Sequence, residues 1–205
     1  MIIEVCAESY EYALIAEKAG ADRIELCKDL HLDGLTPDYE SAKRTIDKLN
    51  IPVFILIRPR DGDFVYSNEE FELMKSDIVK FKEMGCKGIV SGVLNNDKVI
   101  DIERTKELVE LSRPLEFTFH RAFDEVKDPV EEIENLIKMG IGRVLTSGQK
   151  EKAIDGLVLL EQLNRISKNR ILIMPGSGIS NTNFMKFNSF NEIHGSFKDG
   201  LPIIN

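Results

Sequence analysis

One junction recurs along the chain and limits what it can fold into. Ala19-Gly20-Ala21-Asp22-Arg23-Ile24, Met84-Gly85-Cys86-Lys87-Gly88-Ile89 and Met139-Gly140-Ile141-Gly142-Arg143-Val144 each read as a helix end, a glycine able to take the left-handed conformation, and a strand. That is the αβ turn of a repeated unit. Short β-branched or apolar runs begin near Ile2, Arg23, Pro52, Gly88, Glu116, Arg143, Ile171 and Glu192, about 27 residues apart on average. Between them lie amphipathic stretches with helix starts: Thr36 before Pro37, Ser67 with Glu70, and Asp128 before Pro129 with Glu131. Strand and helix alternate throughout, and eight repeats over residues 1–205 predict one domain, a TIM-type (β/α)8 barrel.

Only eleven residues follow His194, and Gly195, Gly200 and Pro202 stand among them. The eighth helix is therefore predicted to be missing or truncated, with the tail Phe197 to Asn205 in its place. Leu201, Ile203 and Ile204 beside an under-covered seam predict a symmetric homodimer.

Composition narrows the function. The chain carries 35 acidic and 27 basic side chains, a formal charge of −8, against the basic face that nucleic-acid binding requires. No apolar run approaches the roughly 20 residues of a membrane span, and Met1-Ile2-Ile3-Glu4-Val5-Cys6 is not a basic, apolar leader. The expectation is a cytoplasmic protein with neither nucleic acid nor membrane as partner. Its three cysteines make no disulfide framework and would stand as thiols in a reducing compartment.

Alternation along the strands sorts the side chains into two sets. Ile3, Val5, Ile24, Leu26, Val53, Ile55, Ile57, Phe117, Phe119 and Ile193 form an apolar set that faces the helices. Glu4, Cys6, Glu25, Cys27, Arg58, Glu116, Thr118, His120, Glu192 and His194 form a polar set that faces the lumen. Barrel interiors are ordinarily filled by branched aliphatics, so a polar lumen points to a site. Cys6, Cys27, Arg58, His120 and His194 fall at strand C-terminal ends, where barrel enzymes keep their chemistry. Plainer readings stand beside this one: the thiols as small buried hydrophobes, the histidines as satisfied core residues, and Arg58 as a neutraliser of Glu25 or Glu116. Cys86, in an αβ turn at the opposite end, reads as structural. Glu25 is a possible acid or base if its partner is distant.

Two glycine-bearing loops add an anion signal. Thr146-Ser147-Gly148 follows the sixth strand, and Pro175-Gly176-Ser177-Gly178 follows the seventh, ahead of a helix expected at Ser180. The loop Pro59-Arg60-Asp61-Gly62-Asp63-Phe64-Val65-Tyr66 is expected to cover the barrel mouth.

At these residues the sequence resembles the CutC copper homeostasis proteins. The matching segments are Glu4-Val5-Cys6, Ala21 through Cys27, Gly34-Leu35-Thr36-Pro37, Ile57-Arg58-Pro59-Arg60 with Gly62-Asp63-Phe64, Thr118 through Asp124, Leu145-Thr146-Ser147-Gly148, and Met174-Pro175-Gly176 with Gly178. Asp33-Gly34 and Asp61-Gly62 stand where the family has paired glycines, and Ser177 interrupts its glycine run. The resemblance implies a cytoplasmic TIM barrel, often dimeric, that binds Cu(I) through Cys6 and Cys27, a pairing consistent with the preference of a soft ion for thiolate. A competing expectation is an enzyme acting on a small anionic or phosphorylated metabolite. In that reading Glu25, His120 and Asp124 are catalytic candidates, and Arg58, Arg60, His120, Arg121, Thr146, Ser147, Gly148, Gly176, Gly178 and His194 bind the ligand.

Overall fold

The three junction glycines, Gly20, Gly85 and Gly140, take φ of 96°, 93° and 74°, the left-handed turn that lets each helix end and the next strand begin within a few residues. The computed structural model describes residues 1–196. Strands β1 (Ile2–Ala7), β2 (Arg23–Leu26), β3 (Val53–Leu56), β4 (Gly88–Ser91), β5 (Glu116–Phe119), β6 (Arg143–Thr146), β7 (Leu172–Pro175) and β8 (Glu192–Ser196) alternate with helices α1 (Tyr10–Lys18), α2 (Tyr39–Lys48), α3 (Asn68–Met84), α4 (Ile102–Ser112), α5 (Pro129–Lys138) and α6 (Leu157–Ser167). The strands lie side by side in the order 7-6-5-4-3-2-1-8, and every laddered pair is parallel. This is a nearly closed (β/α)8 barrel. Among the described residues β7 and β8 share no ladder; side chains meet across that seam instead.

The helix starts follow the sequence with one exception. Ser67 and Glu70 form a reciprocal capping box on α3, and Asp128 caps α5 with Pro129 in its first turn, each cap contributing about 1 kcal/mol. Thr36 does not start α2. Its hydroxyl accepts the Arg58 backbone N–H at 2.8 Å, and the helix begins after Asp38.

The helix expected at Ser180 is also absent. A four-residue 3-10 turn, Phe184–Phe187, stands in its place. Asn183 Oδ1 accepts the Ser180 N–H and its amide donates to Gly178 O, while the Ser180 and Thr182 hydroxyls bond each other. Such side chains compete with helical backbone bonding. The tail Phe197 to Asn205, on which the expectations of a missing eighth helix and a homodimer patch rest, lies outside the described residues.

The main core lies between strands and helices. Ile24, Leu26, Ile55, Ile57, Phe119 and Ile193 are buried in it, each worth about 1.5–3 kcal/mol in apolar burial. A second cluster fills part of the lumen: Cys6, Cys27, Phe54, Leu56 and Val90. The barrel is thus apolar on one inner wall and ionic on the other, a mixture that positions the site.

Candidate functional site

The ionic wall begins at the lower end of the lumen. Arg23 Nε donates to Glu4 Oε2 and Arg23 Nη2 to Glu192 Oε2, both at 2.5 Å. Arg143 pairs with Glu192 through Nε, donates from Nη2 to Glu192 Oε1 and Glu116 Oε2 at 3.0 Å, and reaches Thr118 Oγ1 at 3.2 Å. The Phe54 ring lies against both guanidiniums, 4.8 and 5.4 Å from them. Neither arginine is in the polar set read from the sequence. The signal was the same alternation, since Arg23 stands two residues before Glu25. These two residues, not Arg58, neutralise Glu4, Glu116 and Glu192.

Above this network sit the predicted groups of β1, β2 and β8. His194 Nδ1 lies 2.8 Å from Glu4 Oε1 and 3.3 Å from Glu25 Oε2. Burial opposes a charge on the ring, but the Glu25 carboxylate and hydrogen bonds with Cys6 and Glu4 hold its pKa well above the usual histidine value. Burial pushes Glu4 the other way from its partners, and His194 and Arg23 prevail, holding it at about 2. Glu25 has no arginine partner, and burial carries it up to about 7. Cys6 and Cys27 Sγ are 3.3 Å apart, and the Cys27 thiol also donates to Ala7 O at 3.6 Å. The contact with Cys27, then burial, keep the Cys6 proton on its sulfur. One ligand atom each from Cys6, Glu25 and His194 lies within 4.8 Å of the others.

A cavity of about 340 Å³ opens over these groups at the C-terminal ends of the strands, and its wall includes Cys6, Glu25, Arg58, His120, Arg121, Asp124 and His194. Seven predicted site residues therefore meet there. Cys27 is 1% exposed and stands behind Cys6. Arg60, Thr146, Ser147, Gly148, Gly176 and Gly178 are not on this wall.

Their bonds explain why. Arg60 is spent on its own loop, bonding Glu70, Asp63 and the carbonyls of Asp61, Asp63 and Val65. In the loop after β6, the Ser147 and Gln149 N–H groups and the Thr146 and Ser147 hydroxyls all donate to the Asp124 carboxylate at 2.5–3.1 Å. This anion-binding turn already holds the chain's own anion, which Arg121 Nε also contacts at 2.8 Å. Asp124 is thereby a fastener of the loop. Gly176 answers to packing, since a Cβ there would lie 2.5 Å from Leu145 Cδ1 and 3.3 Å from His194 Cβ.

The loop over the mouth places Phe64 at 4.9 Å from the His120 ring and 5.1 Å from the Arg58 guanidinium. His120 Nδ1 accepts the Ala122 N–H at 3.2 Å. Burial, then the Arg58 charge, lower its pKa to about 3, so the ring is neutral and Nε2 carries its proton. Cys86 lies in the core at the other end, its thiol pushed up by burial to about 11.

The sequence profile of the CutC family matches residues 1–199. A family protein CutC of Pasteurella multocida is 45% identical over 201 residues, which are 97% of this chain and 82% of that protein. The human copper homeostasis protein cutC homolog is 46% identical over 185 residues, 90% of this chain and 68% of that protein. The crystal structure of a CutC protein from Streptococcus agalactiae superposes with a TM-score of 0.91 at 30% identity, covering 98% of this chain and 100% of that one. An aldolase, QR15, superposes with a TM-score of 0.71 at 14% identity over 98% of this chain and 91% of its own, which speaks to the barrel alone. By profile, by sequence and by fold, the chain belongs to the CutC family.

Proposed function

We propose that this protein serves copper homeostasis by binding Cu(I) at the barrel mouth through Cys6 and Cys27, in the reducing cytoplasm that keeps both as thiols. The observation that carries this reading is the sulfur pair itself: two free thiols on neighbouring strand ends, 3.3 Å apart, one of them on the wall of the mouth cavity. A soft monovalent ion favours thiolate over the carboxylates and carbonyls nearby. The copper homeostasis relatives support the choice of ion.

The geometry sets conditions on binding. With metal–sulfur bonds of about 2.3 Å, an ion held in line between two thiolates needs them about 4.6 Å apart. The pair therefore opens by roughly 1 Å on loading, or binds the ion bent. Both thiol protons must leave, because the thiolate is the ligand. Glu25 and His194 lie within 4.8 Å of Cys6 as candidate proton acceptors or further ligands.

Anaerobic competition for Cu(I) against a chromophoric chelator tests the assignment. Cys6→Ser and Cys27→Ser are expected to lose at least about tenfold in affinity, equivalent to roughly 1.4 kcal/mol, and Cys86→Ser to lose none. Equal affinity in all three variants contradicts it.

A further inference from the structure

The mouth cavity carries a deficit, at the ends of β3 and β5, that the thiols do not explain. Arg58 is 5% exposed, and among the described residues no carboxylate lies within 4.0 Å of it. Its Nη1 donates to the carbonyls of Leu32 and Gly34, and Nη2 to that of Gly62. Its Nε makes no bond of full geometry. His120, also 5% exposed, has no partner at Nε2.

The two side chains line the same cavity and share one cover, the Phe64 ring. The buried hydroxyl of Tyr66, from the same loop, lies beside the Arg58 guanidinium and interacts with it as with a hydrogen-bond donor, although no bond of full geometry joins the two. Of four buried side-chain atoms without such a bond among the described residues, three thus belong to this neighbourhood, the fourth being Thr105 Oγ1.

Buried polar groups in folded proteins are nearly always paired, and a buried charge more strictly still. What is lacking here has one sign throughout. The His120 Nε2–H lacks an acceptor, the Arg58 Nε–H makes no bond of full geometry with the Tyr66 hydroxyl beside it, and the guanidinium lacks a counter-charge. Water supplies an acceptor without the charge, an apolar ligand supplies neither, and a cation would be repelled. An oxyanion supplies both.

We infer that the mouth cavity binds a small oxyanion, a carboxylate or a phosphate, accepting from His120 Nε2 and Arg58 Nε once Phe64 swings aside. The volume of about 340 Å³ fits a metabolite rather than a polymer. Four carboxylates also line the cavity, Glu25, Asp33, Asp124 and Glu125, and disfavour an extended polyanion. Gly92 keeps the His120 ring seated, because a Cβ there would fall 2.8 Å from Nδ1. This binding uses Arg58 and His120, which follow β3 and β5, and neither thiol.

Calorimetric titration of the metal-free protein with inorganic phosphate and with malonate, against chloride at matched ionic strength, tests the inference. The wild-type protein is expected to bind at least one of the two probes, and which one separates a phosphate from a carboxylate site. Arg58→Met and His120→Phe should each weaken that binding at least tenfold. Arg58 also ties two loops, so His120→Phe, which keeps a ring under Phe64, is the variant to rely on if Arg58→Met melts early. No heat with either probe in the wild-type protein overturns the inference. So does unchanged affinity in a His120→Phe protein that melts like wild type.

Discussion

His120 shows how far one side chain's protonation is set by its surroundings. Its folded pKa of about 3 lies below the unfolded value near 6.5. The stability it permits is complete above about pH 6.5 and drains away as pH falls toward 3, because the unfolded chain takes up a proton that the folded one refuses. At pH 5 the loss from this residue is about 2 kcal/mol. Arg58 and Arg121 supply the charges that oppose protonation. Urea unfolding at pH 7.5 and pH 5.0 should therefore show the wild-type protein losing about 2 kcal/mol more than His120→Gln over that interval. Equal losses contradict the buried, neutral assignment. At this scale Cys6, Glu25, His120 and His194 were legible because period-two alternation sends them inward. The pairing of Arg23 with Glu4 and Glu192 was not, because it joins strands separated by up to 169 residues and periodicity says nothing of which strands meet.

Among the elements, the short 3-10 turn Arg121–Glu125 does more than connect β5 to α5. Its Asp124 carboxylate, with a side chain 9% exposed, organises the whole loop after β6 by accepting from Thr146, Ser147 and Gln149. Asp124→Asn keeps the size but loses the charge and puts an amide donor where an acceptor is needed. A loss of about 2–3 kcal/mol is expected, with faster amide exchange at Ser147 and Gln149. Thermal unfolding within about 0.5 kcal/mol of wild type contradicts the fastening role. The capped helices α3 and α5 were legible from Ser67, Glu70, Asp128 and Pro129. The segment after Ser180 was not, because Ser and Asn open helices and equally close turns on themselves, and only the bonds made by Asn183 decide.

At the scale of the molecule, the seam between β7 and β8 is the weak point of the barrel. Arg143 on β6 and Arg23 on β2 both grasp Glu192 on β8, so the internal ion network ties together the two sides of a seam that no ladder joins among the described residues. Breaking one member of such a buried set leaves its partners uncompensated. Arg23→Met should lower unfolding free energy by about 3–5 kcal/mol in denaturant titration, and a change under about 1 kcal/mol contradicts the network's structural role. Because this network keeps Glu4 and Glu192 occupied, the upper lumen is left to Cys6, Cys27, Glu25 and His194, with the cavity above them.

In the proposed site the two sulfurs, and not the mixed set of Cys6, Glu25 and His194, hold Cu(I). X-ray absorption at the copper edge of the anaerobically loaded wild-type protein reads the ligand shell directly. Two sulfur scatterers near 2.2–2.3 Å are predicted, by analogy with other metal thiolates of about 2.3 Å. A shell of one sulfur with nitrogen or oxygen ligands contradicts the paired-thiol site and hands the metal to Cys6, His194 and Glu25.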